Sequence, residues 1–258
     1  MIAAWLRALA TAAQFLTRLP IPGGASAAPV SFAQDIGRSL LFFPLVGAAI
    51  GGLSAIVVIL ADALWPLVLA VLIALMVEAR ITGALHEDAV ADVCDGLGGG
   101  RTAEDVLRIL KDSRIGAFGA LGLGLAVALR AGGLMAQPDA MQVALVLVIS
   151  GCMGRLLMLA VMAAVPAMPG REGLGSHVAP AANWRGCGIA ALLAAPVLLT
   201  GAILDPRGMA GALLGCGVFL WWYRRLLLRR LGGSTGDAIG AAGYAGIVLT
   251  TLAFAARF

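Results

Sequence analysis

Asp88, Asp92 and Asp95 stand at i, i+4 and i+7 within His86–Gly96, HEDAVADVCDG. On a helix that spacing puts three carboxylates on one face, about a turn apart. Carboxylates so placed repel one another unless a cation sits between them. Magnesium suits the pattern, because it takes oxygen ligands and commonly uses a few carboxylates together with substrate phosphates. Zinc fits less well, since no Cys/His set accompanies the acids. His86 precedes Asp88 by two residues. It has three candidate roles: metal ligand, proton acceptor from an attacking hydroxyl, or partner orienting a carboxylate. The competing reading is a solvated acidic face. The interleaved Ala89, Val90, Ala91 and Val93 weigh against it, as does the cost of acids at membrane depth.

The cluster belongs to a polar link at about 78–114. That link holds eight of the 14 acids: Glu78, Glu87, Asp88, Asp92, Asp95, Glu104, Asp105 and Asp112. Gly96 and Gly98–Gly100 read as a flexible turn whose N–H groups could face a phosphate. The pattern GxxxxGK[ST] is absent. Thr102 reads as the cap of a short amphipathic helix, AEDVLRILK, that turns Val106, Leu107, Ile109 and Leu110 inward. Lys111, Asp112, Ser113 and Arg114 follow. Lys111 and Arg114 lie a turn apart, and both can reach phosphate oxygens. Pairing with Asp112 or with lipid headgroups is the alternative. A second constellation, LGGSTGDAIGA at 231–241, offers Gly233, Thr235 and Asp237 to a phosphate or to a metal shell. Its plainer reading is a capped turn with Asp237 at a helix N-terminus. The link GREGLGSH, 170–177, adds Arg171, Glu172, Ser176 and His177.

The elements that must position these groups are apolar. The chain has 258 residues, 61% hydrophobic and 12% charged, with a mean hydropathy of +0.98. Soluble domains carry about 25% charge. Segments at about 40–61, 64–84, 115–136, 141–165, 186–204 and 208–228 are long enough to span a bilayer, and a shorter seventh lies at about 239–256. The N-terminus reads as an amphipathic helix ending at Pro20, with no cleavable signal peptide. Gly47/Gly51 and Gly211/Gly215 have the four-residue spacing of close helix crossings. The expected fold is an all-α polytopic membrane bundle of about six to seven transmembrane helices plus that N-terminal helix. It forms a single domain over 1–258.

The net charge is +4, and Arg supplies 17 of the 18 basic residues. Alternate links are rich and poor in Arg. By the positive-inside rule the N-terminus and the polar links face the cytoplasm and the C-terminus lies outside. No basic stripe with interleaved aromatics speaks for nucleic acid. The four cysteines, at 94, 152, 187 and 216, are spaced as buried thiols rather than as a disulfide framework. Arg155 is expected to face a polar cavity or rim, and Arg130 to snorkel.

Several stretches, in order, resemble the cobalamin-5′-phosphate synthase family, also called adenosylcobinamide-GDP ribazoletransferases. They are FLTRLP (15–20), FFPLVG (42–47), ALHEDAVADVCDG (84–96), ILKDSRIGAFG (109–119), REGLG (171–175) and LGGSTGDAIGA (231–241). Ala84 and Ala89 stand where the family usually has Gly, and Glu87 stands where an apolar residue is common. The resemblance implies a magnesium-dependent membrane transferase of the bacterial inner membrane. In that reaction a ribose hydroxyl of α-ribazole or its 5′-phosphate attacks the cobinamide-side phosphorus of adenosylcobinamide-GDP and releases GMP. Asp88, Asp92 and Asp95 would hold magnesium. Lys111, Asp112, Ser113 and Arg114, with Gly233, Thr235 and Asp237, would hold the donor phosphates. His86 or a cluster aspartate would take the proton, with no covalent intermediate. Membrane lipid is the expected surroundings. Self-association or contact with other enzymes of the pathway is left open. Two other readings are a CDP-alcohol phosphotransferase, whose D-G-x-x-A-R pattern is missing after Asp95-Gly96, and a divalent-cation transporter, which would place its acids near the membrane midplane.

Overall fold

The computed structural model describes residues 2–22, 36–168 and 182–256. Among them the regular structure is helical, apart from one isolated parallel bridge between Ala167 and Ser234. The helices are α1 (Ile2–Leu16), α2 (Phe43–Asp62), α3 (Leu67–Thr82), α4 (Leu85–Gly99), α5 (Ala103–Ile109), α6 (Ala117–Met135), α7 (Ala140–Ala164), α8 (Trp184–Leu193), α9 (Ala195–Leu204), α10 (Pro206–Arg230) and α11 (Gly236–Ala255).

Length and composition let four helical stretches cross a membrane: Ile36–Asp62, Ala117–Met135, Ala140–Ala164 and Gly236–Ala255. The number rises to six if the bent pairs α3–α4 and α8–α9 each count as one span. The chain is therefore a membrane-embedded helical bundle. Its outward side chains agree, since Ile56, Leu60, Met76, Leu121, Leu125, Leu214 and Val218 are all exposed. Such an apolar belt is unfavourable in water and suited to lipid. α10 differs from the apolar span expected at 208–228 in composition rather than length, because WWYRR and the following arginines end it. It nevertheless runs antiparallel along α11. A Cβ on Gly208 would meet Phe254 at one end, and Tyr223 Oη donates to Ala238 O (3.0 Å) near the other.

The most extensive helix contact joins α2 to α7. Small residues make it: a Cβ on Gly47 would strike the Gly151 carbonyl, and one on Gly51 the Leu147 backbone. This is the close crossing that the Gly47/Gly51 spacing predicts. Gly211 and Gly215 instead line a shallow groove against Leu249.

One feature sets up the site. α3 and α4 meet at 87° across only Gly83 and Ala84. Both residues are left-handed, with φ of +69° and +56°. Glycine adopts that region freely, whereas alanine does so at a cost of about 1 kcal/mol or more. The Arg18 side chain fills the space beside Gly83, and Arg18 N donates to Ile81 O (2.7 Å), so the TRLP segment braces the corner. α4 thus runs at nearly a right angle to the apolar α3, as in a broken span or a re-entrant segment.

Candidate active site

α4 carries the acids on the half of the helix that solvent reaches. Asp88 is exposed, while Asp92 and Asp95 are half-buried. The opposite half, with Ala89, Ala91 and Val93, is buried against the bundle. α11 packs on α4 at Gly240, where a Cβ would meet Ala89. This contact brings the 231–241 loop to the acid cluster. Asp92 then sits within the fields of Asp88, Asp237 and Asp95. Its carboxyl is pushed up to about 6, first by burial and next by those three charges.

Asp95 differs from its neighbours in its hydrogen bonds. Its two oxygens accept from Gly116 N (2.6 Å) and Gly119 N (2.7 Å), the open N-terminus of α6. A Cβ at either glycine would collide with the Asp95 carboxylate. That explains why IGAFG carries glycines three apart. It also brings Lys111–Arg114 to the end of α4.

Among the described residues no three His, Cys, Asp or Glu side chains are grouped to hold a metal ion by themselves. The donor set is nonetheless hard oxygen, crowded enough to raise one carboxyl. Magnesium usually keeps waters and takes one or two carboxylates plus substrate phosphates. The residues therefore fit an ion that arrives with a diphosphate, and they do not form a closed protein cage.

The other predicted residues fall into place unevenly. Arg114 is exposed and held by Asp112: Nη2 to Oδ2 is 2.7 Å and Nε to Oδ1 is 3.0 Å. The pair pulls the Asp112 carboxyl down to about 2, first through the side-chain hydrogen bond. Asp112 is thus the clamp on Arg114. Lys111 and Ser113 are exposed beside it. Thr235 caps α11, its hydroxyl accepting from Ala238 N (3.2 Å), and Asp237 lies in the first turn. Gly233 passes over Met168, where a Cβ would lie 2.8 Å from Met168 Cα. Ser234 N donates to Pro166 O (2.8 Å) and Met168 N to Ser234 O (3.1 Å). The plainer reading of this loop, a capped turn, is what the backbone shows. Arg171, Glu172, Ser176 and His177 lie outside the described residues.

One expectation is corrected. Gly96 and Gly98–Gly99 form no flexible phosphate turn. They are the last turn of α4, closed by Gly100 N donating to Gly96 O (2.9 Å). The reason is packing. α5 lies across this turn, and a Cβ on Gly100 would meet Val106 at 2.6 Å, so small residues admit the second helix. The free carbonyls of Leu97 and Gly100 accept from Arg230 at 3.3 and 2.6 Å. A cation suits a helix C-terminus. α5 itself starts as expected, with a Thr102/Asp105 capping box.

Two features were missed. Glu78, counted with the polar link, is on α3 and only 4% exposed. Arg130, expected to snorkel, is 2% exposed and donates to both Glu78 oxygens at 2.8 Å. Ser54 adds a hydrogen bond to Glu78 (3.0 Å), and the Tyr244 ring lies 5.6 Å below the guanidinium. The signal was available: lone charges on two apolar segments are expected to find each other. Arg155, 1% exposed, lies beside this pair. His86 is 3% exposed, and neither ring nitrogen has a hydrogen-bond partner. It lines a pocket of about 240 Å³ together with Asp88 and Asp237.

A membrane-embedded bundle whose broken helix presents carboxylates beside a cationic loop defines a class: integral membrane enzymes that act on charged, phosphate-bearing substrates. More particularly, the chain belongs to the cobalamin-5-phosphate synthase family, which it matches over residues 8–255. Curated relatives named adenosylcobinamide-GDP ribazoletransferase include those of Leptothrix cholodnii (36% identical; 90% of this chain, 88% of the relative), Ralstonia nicotianae (38%; 92% and 90%) and Bradyrhizobium diazoefficiens (38%; 96% and 93%). No solved structure matches the chain.

Proposed function

We infer that the chain is an adenosylcobinamide-GDP ribazoletransferase, joining that donor to α-ribazole or its 5′-phosphate in cobalamin synthesis. Family membership over nearly the whole chain is the observation that carries this reading. The CDP-alcohol and transporter readings lack support. The first misses its motif, and the second needs acids within a spanning helix, whereas these stand on the solvent-reached side of α4, beyond the 87° turn.

Asp88 and Asp92 are assigned to a magnesium ion shared with the donor diphosphate, with Asp95 and Asp237 as neighbours that set its surroundings. Such an ion would supply charge neutralisation at the donor diphosphate. Lys111 and Arg114 would hold phosphate oxygens of the donor, with Asp112 fixing the Arg114 guanidinium. Asp95 holds the N-terminus of α6, and with it this basic loop, against α4. The acceptor hydroxyl approaches in line, and a carboxylate of the cluster or His86 takes its proton. The GMP leaving group departs with the electron pair of the broken P–O bond. The arginine-rich links support a site on the cytoplasmic face of a bacterial inner membrane.

The test is turnover by the purified full chain in lipid with magnesium, adenosylcobinamide-GDP and α-ribazole 5′-phosphate. A cobalamin and GMP should form in equal amounts. Product from CDP-diacylglycerol instead, or ion flux without turnover, would remove the assignment.

A further inference from the structure

Gly211 and Gly215 have the spacing of a close helix crossing, yet no backbone closes on Gly215. A Cβ there would meet only the Leu249 side chain, at 3.8 Å. The space left is a groove along α10 and α11. Gly211, Gly215, Val218 and Trp222 form its α10 side, and Leu249 and Leu252 its α11 side. α11 is long and apolar enough to cross a membrane. Leu214 and Val218, on the groove's edge, are exposed, so the groove opens where lipid lies.

The groove has a charged end. Residues 211, 215, 218, 222, 225 and 229 recur at three and four, which is one face of a helix. The first four line the groove, and Arg225 and Arg229 continue its line past Trp222. Both arginines are exposed, and among the described residues neither has a carboxylate within ion-pair distance. Arg225 lies over the Trp221 ring at 3.9 Å, which orders the guanidinium without neutralising it. The other two arginines of this helix end are engaged: Arg224 donates to Ala164 O (3.1 Å) and Arg230 to Gly100 O (2.6 Å). From Gly211 to Trp222 the helix rises about 16 Å at 1.5 Å per residue. A hydrocarbon core is about 30 Å thick, so one leaflet supplies about 15 Å.

Three kinds of occupant compete. A peptide or a polar metabolite would find no partners for its hydrogen-bonding groups along these walls. A second copy, packed about a two-fold axis along the membrane normal, would set α10 parallel to itself. Arg225 and Arg229 would then face their own equivalents, like charge against like. A fatty chain needs no polar partner, its length matches the groove, and an anionic headgroup answers both cations.

We propose that this groove binds one anionic phospholipid, its acyl chain along Gly211–Trp222 and its phosphate held by Arg225 and Arg229. Tyr223 Oη donates to Ala238 O, so the headgroup lies at the end of α11 that carries Asp237. It also stands one residue from the Arg230 cap on α4. The inference is independent of which substrates the chain takes.

The test is native mass spectrometry of the full chain in detergent, titrated with phosphatidylglycerol and with phosphatidylcholine of the same acyl chains. Wild type should bind one phosphatidylglycerol about thirtyfold more tightly than phosphatidylcholine, roughly the combined worth of two basic side chains at a charged membrane surface. Arg225→Gln/Arg229→Gln should abolish that preference and leave phosphatidylcholine unchanged. Gly215→Phe, which fills the groove, should weaken both lipids. A photoreactive phosphatidylglycerol should label wild-type peptides covering Gly211–Trp222 and Leu249–Ala253, so the test survives misfolding of any variant. Equal wild-type affinity for the two lipids, a preference kept by the double variant, labelling confined to other helices, or a wild-type dimer that Gly215→Phe breaks would overturn the proposal.

Discussion

The Glu78–Arg130 pair gives the sharpest energetic prediction. The partners approach to 2.8 Å, at 4% and 2% exposure, in the lipid-spanning part of the bundle. At an effective dielectric of about 20, unit charges that close attract by about 6 kcal/mol, and desolvation offsets most of it. Removing one partner leaves the other buried and uncompensated, at about 3–5 kcal/mol. Glu78→Gln should cost more than Arg130→Met, because Arg130 and Arg155 would then face each other without their shared anion. Glu78→Leu/Arg130→Met should cost less than the sum of the single changes, the remainder being the loss of the Glu78 charge beside buried Arg155. A double-mutant cycle of reversible unfolding in mixed micelles measures this. Additive losses, or Arg130→Met more harmful than Glu78→Gln, would refute the pairing as the reason for burial.

Ala84→Gly should relieve the left-handed alanine and raise unfolding stability by about 1 kcal/mol, with turnover retained; a lower midpoint would contradict the strain assigned to φ +56°. Gly119→Ala should drive a methyl into the Asp95 carboxylate and reduce kcat at least tenfold, and normal kinetics would show that Asp95 need not hold α6. Asp92→Asn should abolish turnover in a protein that still inserts, and chelation of magnesium should do the same to wild type reversibly; near-normal rates at saturating magnesium would count against its metal role. Cys94→Ala should stay active, since its thiol packs against Gly122, and a folded but inactive variant would show a chemical need for sulfur.

The helices were legible because lipid demands long apolar runs, and the periodic acids were legible because three carboxylates at i, i+4, i+7 have few bland explanations. The corner at 83–84 was harder to see. The sequence shows TGALH, in which one glycine suggests a helix end, but nothing local says that the next alanine also turns left-handed. The corner is braced from outside, by Arg18 at Gly83 and by α11 packing on Ala89 of α4. The glycines at 96–100 misled for the related reason that Gly serves close packing as readily as loop freedom. Which use applies depends on whether a partner helix lies above, and α5 is brought there by its own capping box. Arg130 misled because snorkelling needs only a nearby interface, whereas its true partner lies 52 residues earlier on another helix.

The broken helix is what makes the site. Had α3 continued straight, Asp88, Asp92 and Asp95 would extend along the span's own axis, one turn apart in depth, and a diphosphate lying along the membrane surface would meet only the outermost. The right-angle turn sets the same three residues across the direction of α3, so they no longer follow one another along its axis. It also exposes the underside of α4 to α11, which closes the apolar pocket beneath His86 and brings Asp237 up to the acids. Three contacts hold that turn: the Arg18 brace at Gly83, the Arg230 cap on the end of α4, and the hold of Asp95 on α6. A change at any of them should therefore alter the relation between pocket and acids, lowering kcat even where both substrates still bind.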